Sequence, residues 1–250
     1  MYSHAFLSLR TPSPATSLPE LKSDKLQTLG KWRSNFTVTV TSACTQRVVL
    51  VLHELGVEYD FIAVALMKGE HKDTSYTQDV HPFGRIPTLK DGNFQLFESR
   101  AICRYLVSKF GGTSTLNSDK QADAVQIGTL EQAISIEYSY FDPQIKALCY
   151  ENVFKGYLGK GAASPDEVEK ATDILTTCLD YYEALLSKQD YLTGNEFGLV
   201  DIFVMPWLPW FHVLKMDDLI SGRPKFESWW KRMTARRSWQ LVQESLPKTG

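Results

Sequence analysis

His81-Pro82-Phe83-Gly84-Arg85-Ile86-Pro87-Thr88-Leu89-Lys90-Asp91-Gly92, continued by Asn93-Phe94-Gln95-Leu96-Phe97-Glu98-Ser99-Arg100-Ala101-Ile102, decides how this chain folds. His81 to Gly84 reads as a turn, and Pro87-Thr88-Leu89 opens a short strand. Asp91-Gly92 is a hairpin signal, and Asn93 to Phe97 forms the returning arm. Ser99 to Phe110 then carries apolar residues at helical spacing (Ile102, Tyr105, Leu106), with Gly111 and Gly112 beyond its end. The stretch therefore predicts strand, strand, helix.

Upstream, Phe36, Val38 and Val40 alternate with polar residues and predict a first strand. Val48, Val51, Leu52 and Leu55 predict a helix, which Gly56 stops in left-handed conformation. Tyr59 to Val64 predicts a second strand, and the strand–helix–strand order favours a parallel pair. A polar loop from Gly69 to Val80 joins the two halves of this β-α-β, β-β-α unit.

Residues 1–34 are rich in Ser, Thr and Pro and are read by composition as a disordered extension outside the fold. No acid precedes Glu20, but Arg10 is the sole arginine there, and Ala5-Phe6-Leu7 is too short for a secretory core. Downstream of Gly112 the strand signals stop. Helices are expected from Asp119 to about Tyr140 with a break at Pro143, from Ser164-Pro165-Asp166-Glu167 to about Ser187, from Gly198 with kinks at Pro206 and Pro209, and around Trp229, Trp230 and Met233. The expected division is 35–112 as an α/β domain and 119–245 as an all-helical domain.

Composition narrows the function. The 250 residues hold 27 basic and 29 acidic side chains, a net charge of −2 that gives no pull toward nucleic acid or anionic membrane. No apolar run is long enough to span a bilayer. Cys44, Cys103, Cys149 and Cys178 lie far apart without a Cys-x-x-Cys pair, and no two of the five histidines share a helical face. That argues against zinc and other metals, and for reduced thiols in a cytoplasmic protein.

A β-α-β, β-β-α unit with proline entering the third strand is a thioredoxin-type pattern. Phe83 to Leu89, Asp91-Gly92 and Leu96 to Ile102 resemble the glutathione transferase family across roughly Asn35 to Trp239. Gly69-Glu70-His71-Lys72 and the Ser42-to-Arg47 segment resemble its plant and fungal phi-type members. The resemblance implies a thioredoxin-like glutathione-binding domain, an all-helical second domain, a detoxifying transferase activity and a homodimer.

It also implies roles for individual residues. A cis Ile86–Pro87 bond would turn the Ile86 backbone toward the cysteinyl part of glutathione. Glu98 would take the γ-glutamyl α-ammonium, and Ser99, at a helix start where the residue reading alone makes it an N-cap, its α-carboxylate. His71 and Lys72 would reach the glycine carboxylate. Arg85 stands where phi-type members more often have Gln, which changes the donor pattern there.

The resemblance places the catalytic hydroxyl at Ser42, aimed at the glutathione sulfur; by residues alone Ser42 is equally a helix cap. The nucleophile must be the thiolate. A two-unit drop in thiol pKa asks for about 2.7 kcal/mol, within reach of one charge-assisted hydrogen bond of roughly 1.5–3 kcal/mol. Cys44, two residues on, is the alternative reactive group, for thiol oxidoreductase or peroxidase chemistry. A non-catalytic ligand-binding protein on the same fold is a further alternative. Tyr138, Tyr140 and Phe141 are candidates for holding a small hydrophobic electrophile.

Overall fold

The computed structural model describes residues 6–9, 42–111, 116 and 123–245. Within it, four strands form one sheet: β1 (Phe6–Leu9), β2 (Tyr59–Ile62), β3 (Thr88–Asp91) and β4 (Phe94–Phe97), in the order β2-β1-β3-β4. Helix α1 (Ala43–Glu54) precedes β2, the short α2 (Thr74–Asp79) precedes β3, and α3 (Ser99–Phe110) follows β4.

β1 corrects the sequence reading. Phe6 to Leu9 belong to the sheet interior instead of an extension, and Leu7 is fully buried. The run Phe6-Leu7-Ser8-Leu9 is too short to signal a strand by itself. The strand expected at Phe36–Val40 lies outside the described residues. β1 runs antiparallel to β2 (Leu7 opposite Phe61) and parallel to β3 (Leu7 opposite Leu89), not parallel to β2. The preference for a parallel crossover applies to strands joined through one intervening helix by short connections. Here the chain from Arg10 to Ser42 separates β1 from α1, which removes that constraint.

The hairpin forms as expected, with a two-residue loop of Gly92-Asn93 closing the Asp91–Phe94 pair and Gly92 at φ +60. Gly56 takes φ +63 after α1, and the Val57 N–H donates to the Leu52 carbonyl across it, the bond of a left-handed helix stop.

From Asp123 every described element is helical. Asp123 caps α4 (Ala124–Ile136) with a full capping box to Gln126. Pro143 does not end the run; the helix widens into a π-turn over Glu137–Phe141 and continues as α5 (Asp142–Cys149). A proline cannot donate to the preceding turn, and its ring crowds the carbonyl there, so local widening keeps the helix going. A second π-turn (Tyr150–Phe154) and α6 (Lys155–Tyr157) follow. α7 (Pro165–Leu186) starts at Ser164, but the Ser164 hydroxyl makes no cap bond, and Glu151 rather than Glu167 accepts the Ser164 N–H at 2.7 Å.

α8 (Leu199–Val204), a tight turn at Met205–Trp207, α9 (Leu208–Val213), α10 (Asp218–Ser221), α11 (Pro224–Thr234) and α12 (Arg237–Ser245) complete the chain. One apolar core runs through both halves, from Leu7, Val48 and Leu89 to Phe203, Trp229 and Val242. At a second junction Glu54 of α1 accepts both Arg236 nitrogens at 2.8 Å.

Candidate active site

Ser42 is the N-cap of α1, in extended conformation, and its Oγ accepts from the Thr45 N–H at a long 3.4 Å. The hydroxyl is therefore only weakly committed to its helix. The following first turn carries no acid, so its free N–H groups and positive end are uncompensated from within the turn. Thr45 Oγ1 is buried with no hydrogen-bond partner among the described residues.

The second helix start is α3. Ser99 is its first helical residue, almost fully buried, and Glu98 occupies the cap position. This corrects the expectation that Ser99 caps the helix. Glu98 holds φ +69, ψ 110, a backbone conformation that residues with a Cβ rarely adopt, and its side chain makes no cap bond. Its carboxylate is exposed.

Both helix starts meet one buried charge cluster. Arg47, one turn into α1 and fully buried, donates from Nη2 to Glu137 Oε1 at 3.1 Å and to Asp142 Oδ1 at 2.6 Å, and from Nε to the Phe203 carbonyl at 2.9 Å. Arg100, next to Ser99, forks onto the same Glu137 with two bonds of 2.7 Å. Burial pushes the Asp142 carboxyl upward, but Arg47, Arg100 and Lys146 outweigh it and hold the group below the usual carboxylate range. For Glu137 burial wins over the two guanidiniums and its pKa is raised. None of these partnerships was legible in sequence, since the partners lie tens of residues apart.

The loop of His71 and Lys72 packs against the turn that leads into Ile86–Pro87. Lys72 Nζ donates to the Gly84 carbonyl at 2.9 Å. Gly84 sits at φ +55, and a Cβ there would lie 2.4 Å from the His71 carbonyl, so only glycine permits this approach. His71 Nδ1 is shielded without a partner among the described residues, and burial with the Lys72 charge lowers the imidazole pKa. The Ile86–Pro87 bond is cis, Pro87 is buried and Arg85 is exposed.

Two residues that the sequence reading passed over complete this region. Tyr76 donates its hydroxyl to the Arg85 carbonyl at 2.9 Å. His81 is buried, lies 4.6 Å from the Phe97 ring centroid, and accepts the Phe83 N–H at Nδ1. Burial lowers its pKa, Glu98 opposes this, and Arg85 adds to it. A neutral imidazole accepting at Nδ1 agrees with that direction.

Tyr138 and Tyr140 are exposed, whereas Phe141 is fully buried with its ring centroid 6.0 Å from that of Tyr182. Phe141 is thus core and leaves the set of electrophile-binding candidates. Cys44 is half-buried with Sγ 3.8 Å from Arg47 Nη1, while burial pushes the thiols of Cys103, Cys149 and Cys178 up to about 12. Among the described residues no group of three or more His, Cys, Asp or Glu is placed to hold a metal ion, and no helix is long and apolar enough to cross a membrane.

Fold and site define a protein with a thioredoxin-like domain and an all-helical domain, in which two helix starts face a shared polar site. Comparison with known proteins gives the family. Residues 38–108 match the N-terminal domain model of glutathione S-transferases, and residues 141–237 match the C-terminal domain model. Glutathione S-transferase PM239X14 of Arabidopsis thaliana is 43% identical over 192 residues, covering 76% of this chain and 86% of the relative. The crystal structure of glutathione transferase F7 from Populus trichocarpa superposes with a TM-score of 0.76 at 28% identity, covering 84% of this chain and 97% of that one. Maize glutathione S-transferase I, solved in complex with an atrazine glutathione conjugate, superposes at 0.75 with 25% identity over 84% and 96% of the two chains. The chain belongs to the glutathione S-transferase family and is a transferase.

Proposed function

We propose that the protein conjugates glutathione to small hydrophobic electrophiles, with Ser42 donating to the glutathione thiolate. The observation that carries this reading is the shared anchoring of two helix starts, Ser42 on α1 and Glu98-Ser99 on α3, by Glu137 through Arg47 and Arg100. The Ser99 end addresses an α-carboxylate through free N–H groups, and the exposed Glu98 carboxylate addresses the neighbouring α-ammonium. Ile86 and Pro87 present backbone to the cysteinyl unit. His71 and Lys72 form the end for the glycine carboxylate, with Arg85 at its edge. The thiolate forms a sulfur–carbon bond to the electrophile, whose leaving group departs with its electron pair.

The supporting test titrates bound glutathione by thiolate ultraviolet absorbance. Ser42→Ala is expected to raise its apparent pKa by about one to two units. An unchanged pKa rejects Ser42 as the stabiliser. Glutathione conjugation assayed across several electrophiles separates a transferase from a carrier, which would bind without turnover.

A second reading rests on Cys44, whose half-buried Sγ faces the Arg47 guanidinium. There the protein would be a glutathione-dependent thiol oxidoreductase. Mass spectrometry after treatment with oxidised glutathione decides it: no adduct at Cys44, with full activity in Cys44→Ser, ends that reading. Cytoplasmic location, a homodimer and the division into domains 35–112 and 119–245 belong to the same proposal. Free cysteines support the first and the family resemblance the other two; sedimentation velocity measures the dimer.

A further inference from the structure

Glu137 and Asp142 are five residues apart. On a regular α-helix that spacing turns them roughly 140° from one another, so they could not share a partner. The π-turn changes this. The Asp142 N–H donates to the Glu137 carbonyl, the five-residue bond that defines the turn, and both carboxylates then meet Arg47 Nη2. Pro143, exposed and immediately downstream, supplies the local cause of the widening. A proline visible in the sequence thereby creates a carboxylate pair that the sequence does not show.

The pair acts on α1. Asp142 Oδ1 is held by Arg47 at 2.6 Å and by the Trp207 indole N–H at 2.9 Å, and Oδ2 by Lys146 at 2.5 Å, so the carboxylate itself has little freedom. Arg47 is a planar fork whose remaining bonds go to Cys44 Sγ in the first turn of its own helix and to the Phe203 carbonyl of α8. The Ser42 carbonyl accepts the Gln46 N–H at 2.9 Å, but among the described residues the Ser42 hydroxyl makes only the long bond to Thr45. The start of α1 is therefore placed by Arg47 more than by its own cap.

We propose that Asp142 is a positioning residue, which through Arg47 fixes the first turn of α1 and with it the placement of the Ser42 hydroxyl. This rests on the glutathione reading of Ser42. A hydroxyl that must meet a sulfur anion is sensitive to placement, since a shift of about 1 Å in a reacting group can cost roughly a hundredfold in rate.

The test is Asp142→Asn, which keeps shape and removes the negative charge that faces Arg47. In the folded variant the apparent pKa of bound glutathione thiol should rise by about one unit, with kcat at slightly acid pH falling about tenfold. Affinity for S-methylglutathione, which has no thiol to stabilise, should stay within about threefold. An unchanged thiol pKa overturns the proposal. So does an equal loss of analogue affinity and kcat, which would make Asp142 merely structural.

Should Asp142→Asn fail to fold, Trp207→Phe removes one hydrogen bond from Asp142 while keeping the ring. It is expected to raise the thiol pKa by about half a unit, and no rise there overturns the proposal. A wild-type protein that holds no glutathione thiolate defeats the transferase reading separately. The anchor is still read by hydrogen exchange of residues 42–47, expected to quicken in Asp142→Asn, or in Trp207→Phe where the first variant does not fold; unchanged exchange overturns it.

Discussion

Asp142 and Asp201 are both buried aspartates of the helical half, yet their environments drive them in opposite directions. Asp142 faces three cations, and its pKa lies below the carboxylate range. Asp201 takes its hydrogen bonds from neutral donors, the Leu192 N–H at 3.1 Å, the Gly198 N–H at 2.9 Å and the Trp229 indole N–H at 2.7 Å, and Arg236 acts on it only through its charge. Those donors reduce the effect of burial without cancelling it, and the pKa is pushed up to about 6. Hydrogen bonds alone satisfy a buried carboxylate geometrically; opposite charge is what keeps it ionised. The charged arrangement stands beside the candidate site, and the neutral one holds α8 to α11.

The largest effect separating the two clusters is expected from Arg47→Met. It removes one of the two cations that Glu137 and Asp142 share, Arg100 being the other, and should destabilise the protein by about 3–5 kcal/mol in urea unfolding. A loss under about 1 kcal/mol would mean that Arg100 and Lys146 suffice, and the contrast with Asp201 would weaken.

Next comes the dependence on pH, which should have opposite signs. Asp201, with a raised pKa, contributes stability that is full below the ordinary aspartate range and is lost as pH rises through about 6. The change is about 3 kcal/mol. Asp142, with a depressed pKa, contributes stability that is full above that range and is lost on acidification. Unfolding free energies of Asp201→Asn and Asp142→Asn, measured against wild type from pH 2 to 7, should therefore diverge from wild type in opposite directions, for Asp142 below about pH 4 and for Asp201 between about pH 4 and 6. Parallel profiles would break the comparison.

The smallest expected effect concerns the two indoles. Trp229→Phe removes one of three neutral donors to Asp201 and should cost about 1–2 kcal/mol, whereas Trp207→Phe leaves Asp142 its cations and should cost less than about 1 kcal/mol. Thermal denaturation at neutral pH measures both. Equal losses would show that packing of the rings, not the charge state of the carboxylate, dominates.

Gly198 extends the point from charge to shape. The sequence predicts a helix from Gly198, and α8 does start there. A Cβ at Gly198 would lie 2.9 Å from Thr193 Oγ1, so a neighbouring hydroxyl already fills the space that a serine would need. That neighbour is five residues away in sequence and was invisible as a contact.

Legibility of the fold followed the range of each interaction. The hairpin at Gly92 and the left-handed stop at Gly56 are set within a few residues, and the sequence marks both. Site roles for Ser42, Ile86, Pro87, Glu98 and Ser99 came from the resemblance to the glutathione transferase family; by residues alone Ser42 and Ser99 read as helix caps. β1 was missed because four residues are too few to show a periodicity, and its partners Phe61 and Leu89 are remote. Gly84 was read as a turn glycine, although what demands glycine there is the His71 carbonyl across the loop.

By itself the sequence determined the strand–strand–helix unit around Pro87, the helical character of the second half and the absence of a charge bias toward nucleic acid. Only the tertiary structure decided which carboxylates are charged, why Pro143 bends the helix register without ending it, and how Arg47 joins α1 to Asp142. The reason is physical: caps, turns and periodicity are energies between near neighbours, whereas the state of a buried charge depends on whatever distant groups the fold brings within a few ångströms of it.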